Sequence, residues 1–306
     1  MKKRRPVILI LLLVVLALLL GALVLLTGSK EPEIADPAVP KASADTISAM
    51  EWSNAGEEVR LVKTNGKWHW AGDDRFPVDQ LKAENLAGVF TSLSSYGYVA
   101  QSEITDEKDF GLHFPLRTVA FEDQNGRFVY EIGNQSPLNS SYFYARVNGG
   151  DVYLVNRAIY DDFEYNLYDI IQMEAIPAFT NISSVTFETE DSSAVYIRAE
   201  NGEDWLKAVN GCAAEAADTA TVNALVKQIT GLEWAYCAHF APDADEIAEY
   251  GTAAPTCTVT VEHEGDDFVL CLGTDAAEYT YAKLQNSDMV YLIDGAAADA
   301  FIAASK

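Results

Sequence analysis

The chain has 306 residues, 49% of them hydrophobic, and its 46 Asp and Glu against 21 Lys and Arg give a formal charge of −25. That excess of carboxylate, with no basic stripe to offset it, repels nucleic acid and anionic headgroups, so no nucleic-acid partner is expected. A Gly-rich phosphate loop, a Gly-x-Ser-x-Gly elbow, His-Glu-x-x-His and Cys-x-x-Cys are all missing, which removes the commoner enzyme signatures.

Residues 1–6 form a basic tail with Lys2, Lys3, Arg4 and Arg5, and residues 7–27 read as a transmembrane helix. Val7 to Leu26 carries no charge, and a helix of about 20 residues spans roughly 30 Å of hydrocarbon. The positive-inside rule places the tail in the cytoplasm and the body outside, so membrane lipid around Val7–Leu26 is the first expected partner. Ala42-Ser43-Ala44 looks like a cleavage site but lies too far beyond the apolar run, which favours an uncleaved anchor. Residues 28–45, with Pro32, Pro37 and Pro40, read as a linker that holds the body off the membrane. The four basic residues of the tail leave 17 of the 21 Lys and Arg against all 46 acids, a net −29 for the rest of the chain.

The body repeats itself. Residues 46–156 and 181–306 read as two divergent copies of one unit, joined by a connecting helix over 157–180. Trp68 aligns with Trp205, and Leu86, Phe90 and Leu93 align with Leu225, Ile229 and Leu232. Phe110-Gly111-Leu112-His113-Phe114-Pro115 aligns with Tyr250-Gly251-Thr252-Ala253-Ala254-Pro255, and Ile132-Gly133 with Leu272-Gly273. Tyr144-Ala145-Arg146-Val147 aligns with Tyr281-Ala282-Lys283-Leu284.

Each copy opens with period-two segments punctuated by Asn65-Gly66 or Asn201-Gly202, which argues for an antiparallel meander. A helix capped by Asp79 or Asp218 follows, then a strand around Tyr98 or Tyr236, the Gly-x-x-x-Pro corner and four short strands. Asn125-Gly126 predicts a two-residue turn that sets Val119 opposite Ile132 and Phe121 opposite Tyr130. Transferred to the second copy, that register puts Val259 opposite Leu272, with Cys257 inward and Cys271 outward, so the two are not expected to be bonded. Ile159, Phe163, Leu167 and Ile170 carry the spacing of the connecting helix. The fold class expected is α+β: two tandem homologous domains of antiparallel sheet plus helix, after one N-terminal transmembrane helix.

The Gly66-Lys67-Trp68 hairpin, the Phe90-Thr91-Ser92-Leu93 helix end, the Phe110–Pro115 corner and Ile132-Gly133 together resemble the bacterial DUF4340 family, over nearly the whole body. The second copy departs from the pattern, with Thr252 for the corner Leu and Gly202-Glu203-Asp204-Trp205 for the hairpin. The resemblance carries over no catalytic residues. Because family members are often encoded beside an ABC transporter and a partner similar to a gliding-motility auxiliary protein, it implies an accessory role in a membrane complex.

What remains is a sparse set of candidates. His69, His113, His239 and His263 have no His at the matching position of the other copy; His239 with Asp243 and Asp245 could converge on a metal but reads as a solvated loop, and the adjacent pairs Asp73-Asp74, Asp161-Asp162 and Asp266-Asp267 point to opposite faces, poor geometry for calcium. No cofactor, metal or catalytic residue is assigned, and the protein is not expected to be an enzyme. Tyr142, Tyr144 and Tyr153 in the first copy form the candidate partner-binding set, because exposed tyrosines on a sheet ringed by carboxylates can hold a protein or a glycan. The expected function is a single-pass, membrane-anchored, extracytoplasmic interaction protein that serves an ABC-type transport complex, through a protein partner. A cell-envelope glycan- or peptide-binding module is the alternative.

Overall fold

The computed structural model describes residues 37–43, 46–54 and 56–306. The basic tail and the expected span Val7–Leu26 lie outside them, and no helix of the described residues is long and apolar enough to cross a membrane.

Two antiparallel sheets with a few helices make up the body. The first sheet comprises β1 (Ala49–Asn54), β2 (Glu57–Thr64), β3 (Lys67–Trp70), β4 (Ser95–Val99), β5 (Arg117–Asp123), β6 (Gly126–Gln135), β7 (Tyr142–Val147) and β8 (Val152–Asn156), in the order β3-β2-β1-β5-β6-β7-β8-β4. The second comprises β9 (Ser184–Glu188), β10 (Ser193–Arg198), β11 (Trp205–Val209), β12 (Glu215–Ala216), β13 (Tyr236–Phe240), β14 (Cys257–Glu262), β15 (Phe268–Ala276), β16 (Tyr279–Leu284) and β17 (Met289–Asp294). Its order, β12-β11-β10-β9-β14-β15-β16-β17-β13, repeats the first with one short strand added at the edge. Trp68 on β3 and Trp205 on β11 are buried at matching places.

Helix α1 (Gln80–Thr91) lies on the first sheet and buries Ala83, Leu86, Ala87, Val89 and Phe90. Asp79 caps it by accepting the amide protons of Leu81 and Lys82, as the spacing predicts. In the second unit Asp218 does the same for α3 (Thr219–Thr230), and α5 (Gly295–Ala304) closes the chain with Phe301 in the core.

The matched glycines prove to be one packing device. Gly133 and Gly273 each lie in a bulge of the long strand, β6 or β15, where a Cβ would overlap the carbonyl oxygen of Phe110 or Tyr250 in the corner. The corner glycines Gly111 and Gly251 hold left-handed φ of 73° and 72°. Thr252 keeps the corner intact, for it is buried like Leu112, though less completely, and its hydroxyl donates to the Ile247 carbonyl.

Three expectations are corrected. Asp123 pairs with Gly126, so Gln124 and Asn125 make the turn and Val119 faces Tyr130, two places from the register expected. The Asp123 carboxylate accepts the Asn125 amide at 2.7 Å and starts the turn one residue earlier. A slip of two preserves the faces, so Cys257 is still buried beneath the sheet while Cys271, opposite Thr258, faces the other way.

Residues 157–180 are not one helix. They contain α2 (Ala158–Asp161), only four residues long, and a 3₁₀ turn over Leu167–Ile170. The indole of Trp52 and the amide of Asn54 on β1 donate to the carbonyls of Tyr165 and Glu164, acceptors that a continuous helix would need for itself. The four apolar side chains that suggested the helix are buried all the same.

Nor is 28–45 wholly a spacer. Residues 37–43 strap the first core, with Val39 and Ala42 buried, the Ala42 amide on the Phe90 carbonyl and the Tyr130 hydroxyl on the Pro40 carbonyl.

The units meet at the outer edge of the second sheet. Phe240 on β13 packs against Phe76 (5.3 Å between ring centroids) and its amide donates to the Tyr168 hydroxyl, while Trp234 stacks on Tyr291 at 4.2 Å and donates to the Glu174 carbonyl. Cys237, Met289 and Tyr291 thereby join the first core.

Candidate functional site

On β7 the pleat sends Phe143, Ala145 and Val147 into the core and Tyr142, Tyr144 and Arg146 to the outer face. Tyr153 is a different case. It stands opposite Ala145, shares its inward direction and is buried, so it drops out of the candidate set. Burial pushes its phenol up, followed by the charge of Asp151.

The outward tyrosines do not stand alone. Tyr96, the extra residue in a bulge of β4, stacks on Tyr142 with centroids 4.8 Å apart, and Phe110 of the corner meets Tyr144 edge-on at 5.0 Å. Arg146 continues the row, held by Glu107 and by Glu131 at 2.6 Å. The second unit repeats the arrangement. Tyr236 meets Tyr279 at 5.8 Å and Tyr250 meets Tyr281 at 4.7 Å, with Lys283 where the first unit has Arg146. Lys283 turns instead to the carbonyls of Leu284 and Ser287.

The candidate set of the first unit has counterparts in Tyr236, Tyr250, Tyr279 and Tyr281, which lie outside it. A usable sign was there: Tyr-x-Tyr occurs at 142–144 and again at 279–281, and period two on a strand puts both rings on one face.

One end of the first sheet differs from its counterpart. Phe114 is 82% exposed, Leu116 55% and Leu138 93%. The Leu116 amide binds the Ile132 carbonyl at the bulge, and Leu138 lies in the loop between β6 and β7, whose Ser136 amide binds the Tyr142 carbonyl. In the second unit Ala254 and Thr256 stand at the two corner positions, and only Ala277 and Glu278 separate β15 from β16, leaving no place for a Leu138.

The histidines do not gather into a site. Asp243 caps α4 (Ala244–Glu249), accepting from the amides of Asp245 and Glu246, and does not meet His239. His239 lies instead with Nδ1 2.9 Å from the Tyr250 hydroxyl and 3.6 Å from Glu246. Burial first, and then the carboxylate of Glu246, raise the Tyr250 phenol, which is the wrong direction for a nucleophile or base. Among the described residues no group of three or more His, Cys, Asp and Glu could hold a metal ion.

Residues 68–233 and 213–306 match the family described as Domain of unknown function (DUF4340). The chain belongs to this family. The two matches overlap and do not follow the two sheets, since the first runs from β3 through α3. No curated protein matches the chain, and no solved structure does.

Proposed function

We propose that this DUF4340 protein is a membrane-anchored, extracytoplasmic interaction protein, two homologous units in tandem behind the single span Val7–Leu26, that serves as an accessory of an ABC-type transport complex. The observation that carries the binding role is the apolar end of the first sheet. Eight large hydrophobic side chains are exposed among the described residues, and four belong to this end of the strands: Phe114 and Leu116 precede β5, Leu138 follows β6 and Tyr96 lies at the start of β4. Single exposed apolar residues need no explanation, but a group does. The second unit supplies an internal control: it builds the same sheet, bulge and corner with Ala254 and Thr256, so the fold does not require large apolar side chains there. Large side chains standing clear of the surface suit insertion into pockets of a protein partner. The transport association is what family resemblance implies.

Crosslinking in native membranes tests the reading. The full-length protein should capture a partner, and Phe114→Ser with Leu138→Ser should abolish capture while Ile197→Ser on the second unit leaves it. Capture that survives the double change removes the assigned face. A glycan-binding module, the other reading open to an exposed tyrosine row, would show retention on envelope glycan that is lost with Tyr96→Ala and Tyr142→Ala.

A further inference from the structure

The two aromatic rows share their rings and differ in their charges. In the first unit the row ends in its own cation, Arg146, clamped by Glu107 and Glu131. The matching positions in the second unit are Ile247 and Cys271, and Lys283 there is spent on two carbonyls. Carboxylates approach the second row from other directions. Glu246 and Glu249 on α4 lie beside Tyr250, whereas Glu278 in the β15–β16 turn and Asp294 at the end of β17 lie beside Tyr279. Glu246 and Asp294 also cap helices α4 and α5, but among the described residues neither Glu249 nor Glu278 has an ion-pair partner. Tyr236 is 56% exposed at the edge of the row.

Tyrosine faces are electron-rich and attract Arg and Lys, and carboxylates nearby add a salt-dependent attraction. We infer that the outer face of the second unit, formed by Tyr236, Tyr279, Tyr281 and Tyr250 and flanked by Glu249 and Glu278, binds an Arg- or Lys-bearing segment of a protein partner. The first unit shows the arrangement satisfied from within: there an arginine of the chain lies on the same face, between two carboxylates, beside a tyrosine. The second unit has the rings and unneutralised acids and leaves the cation to another molecule. The inference rests on the proposed binding role and assigns the two units different work, apolar insertion by the first and capture of a cation by the second.

The test uses the full-length protein in neutral detergent and two labelled peptides, one of alternating Gly and Arg and its Gly/Gln counterpart. The Arg peptide should bind and the Gln peptide should not. Tyr279→Leu with Tyr281→Leu, which leaves the charge unchanged, should weaken Arg-peptide binding about tenfold, and Phe at both positions should hold it within about twofold. Glu249→Gln with Glu278→Gln, both at the surface, should weaken binding at low salt and flatten its salt dependence. The inference is overturned if the Leu pair or the Gln pair binds as tightly as the parent, or if Tyr142→Leu with Tyr144→Leu in the first unit is equally damaging. Partner capture through Phe114 and Leu138 is read separately, so a silent second row with capture intact sinks this inference alone.

Discussion

Trp68 and Trp205 hold matching places in the two sheets with different surroundings. Each lies under a cation from the neighbouring strand, Lys63 at 5.2 Å and Arg198 at 4.1 Å, so a cation–π contact survives although the hairpins differ in length. Their indole N–H groups have parted ways. That of Trp205 donates to Asn223 at 3.0 Å, whereas that of Trp68 is buried with no partner among the described residues, beside a helix whose Glu84 is engaged by Lys63. Ala at either position should cost about 3–5 kcal/mol, the range for deleting a buried Trp. Phe should separate them: at 68 it removes an unsatisfied donor, and at 205 it breaks a hydrogen bond worth about 0.5–1.5 kcal/mol. Urea unfolding should therefore find Trp205→Phe the more destabilised of the two, and the reverse order would contradict the assigned N–H partners.

At the scale of elements, the β14–β15 ladder governs cysteine chemistry. Cys257 and Cys271 sit on adjacent strands with side chains on opposite faces, Cys237 is buried at the junction of the units, and Cys212 is exposed. Burial pushes the thiols of Cys257 and Cys237 up to about 11 and about 12, so both stay protonated and inert at neutral pH. Alkylation of the folded protein should modify Cys212 first and leave Cys237 and Cys257 for the denatured chain. Peptide mass mapping without reductant should find no bridge between 257 and 271, and finding one would contradict the ladder. The corner and bulge behave as one element too. Gly273→Ala should cost about 1–3 kcal/mol, since a methyl group has no room beside the Tyr250 carbonyl, and an unfolding midpoint equal to the parent's would refute the close approach.

For the whole molecule, alkali should be the destabilising direction. Burial also holds the phenols of Tyr130 and Tyr291 above their ordinary value of 10. With Cys237 and Cys257 these are acids whose neutral form the folded state favours, so above about pH 9 the unfolded chain binds fewer protons than the folded one. Stability from this source is complete below that pH and falls as pH rises toward about 12. Unfolding free energies measured at about pH 7, 9 and 10.5 should decline across the last interval, and a flat profile would mean that these groups are not buried. Topology is checked on intact cells, where added protease should remove the body and spare the basic tail; a protected body would reverse the proposed orientation.

The residues by themselves determined the opening meander of each unit, the helix capped by Asp79 or Asp218 and the faces of Cys257 and Cys271, because side-chain period and short-range turn chemistry act over a few positions, whereas α4, α5 and β12 were not read from them. The alternation on β7 marked Tyr142 and Tyr144 as outward in the same way. Contacts between distant segments were decided only by the tertiary structure. Hydrogen bonds from Trp52 and Asn54 broke the connecting helix, and the Ala145 opposite Tyr153 turned that tyrosine inward. Pairing of β4 with β8, and of β13 with β17, brought Tyr96 and Tyr236 onto the aromatic rows. The exposure of Phe114 and Leu138 belongs with these, for it depends on what the corner and the β6–β7 loop pack against, and residues this far apart in the chain leave no local period by which to find one another.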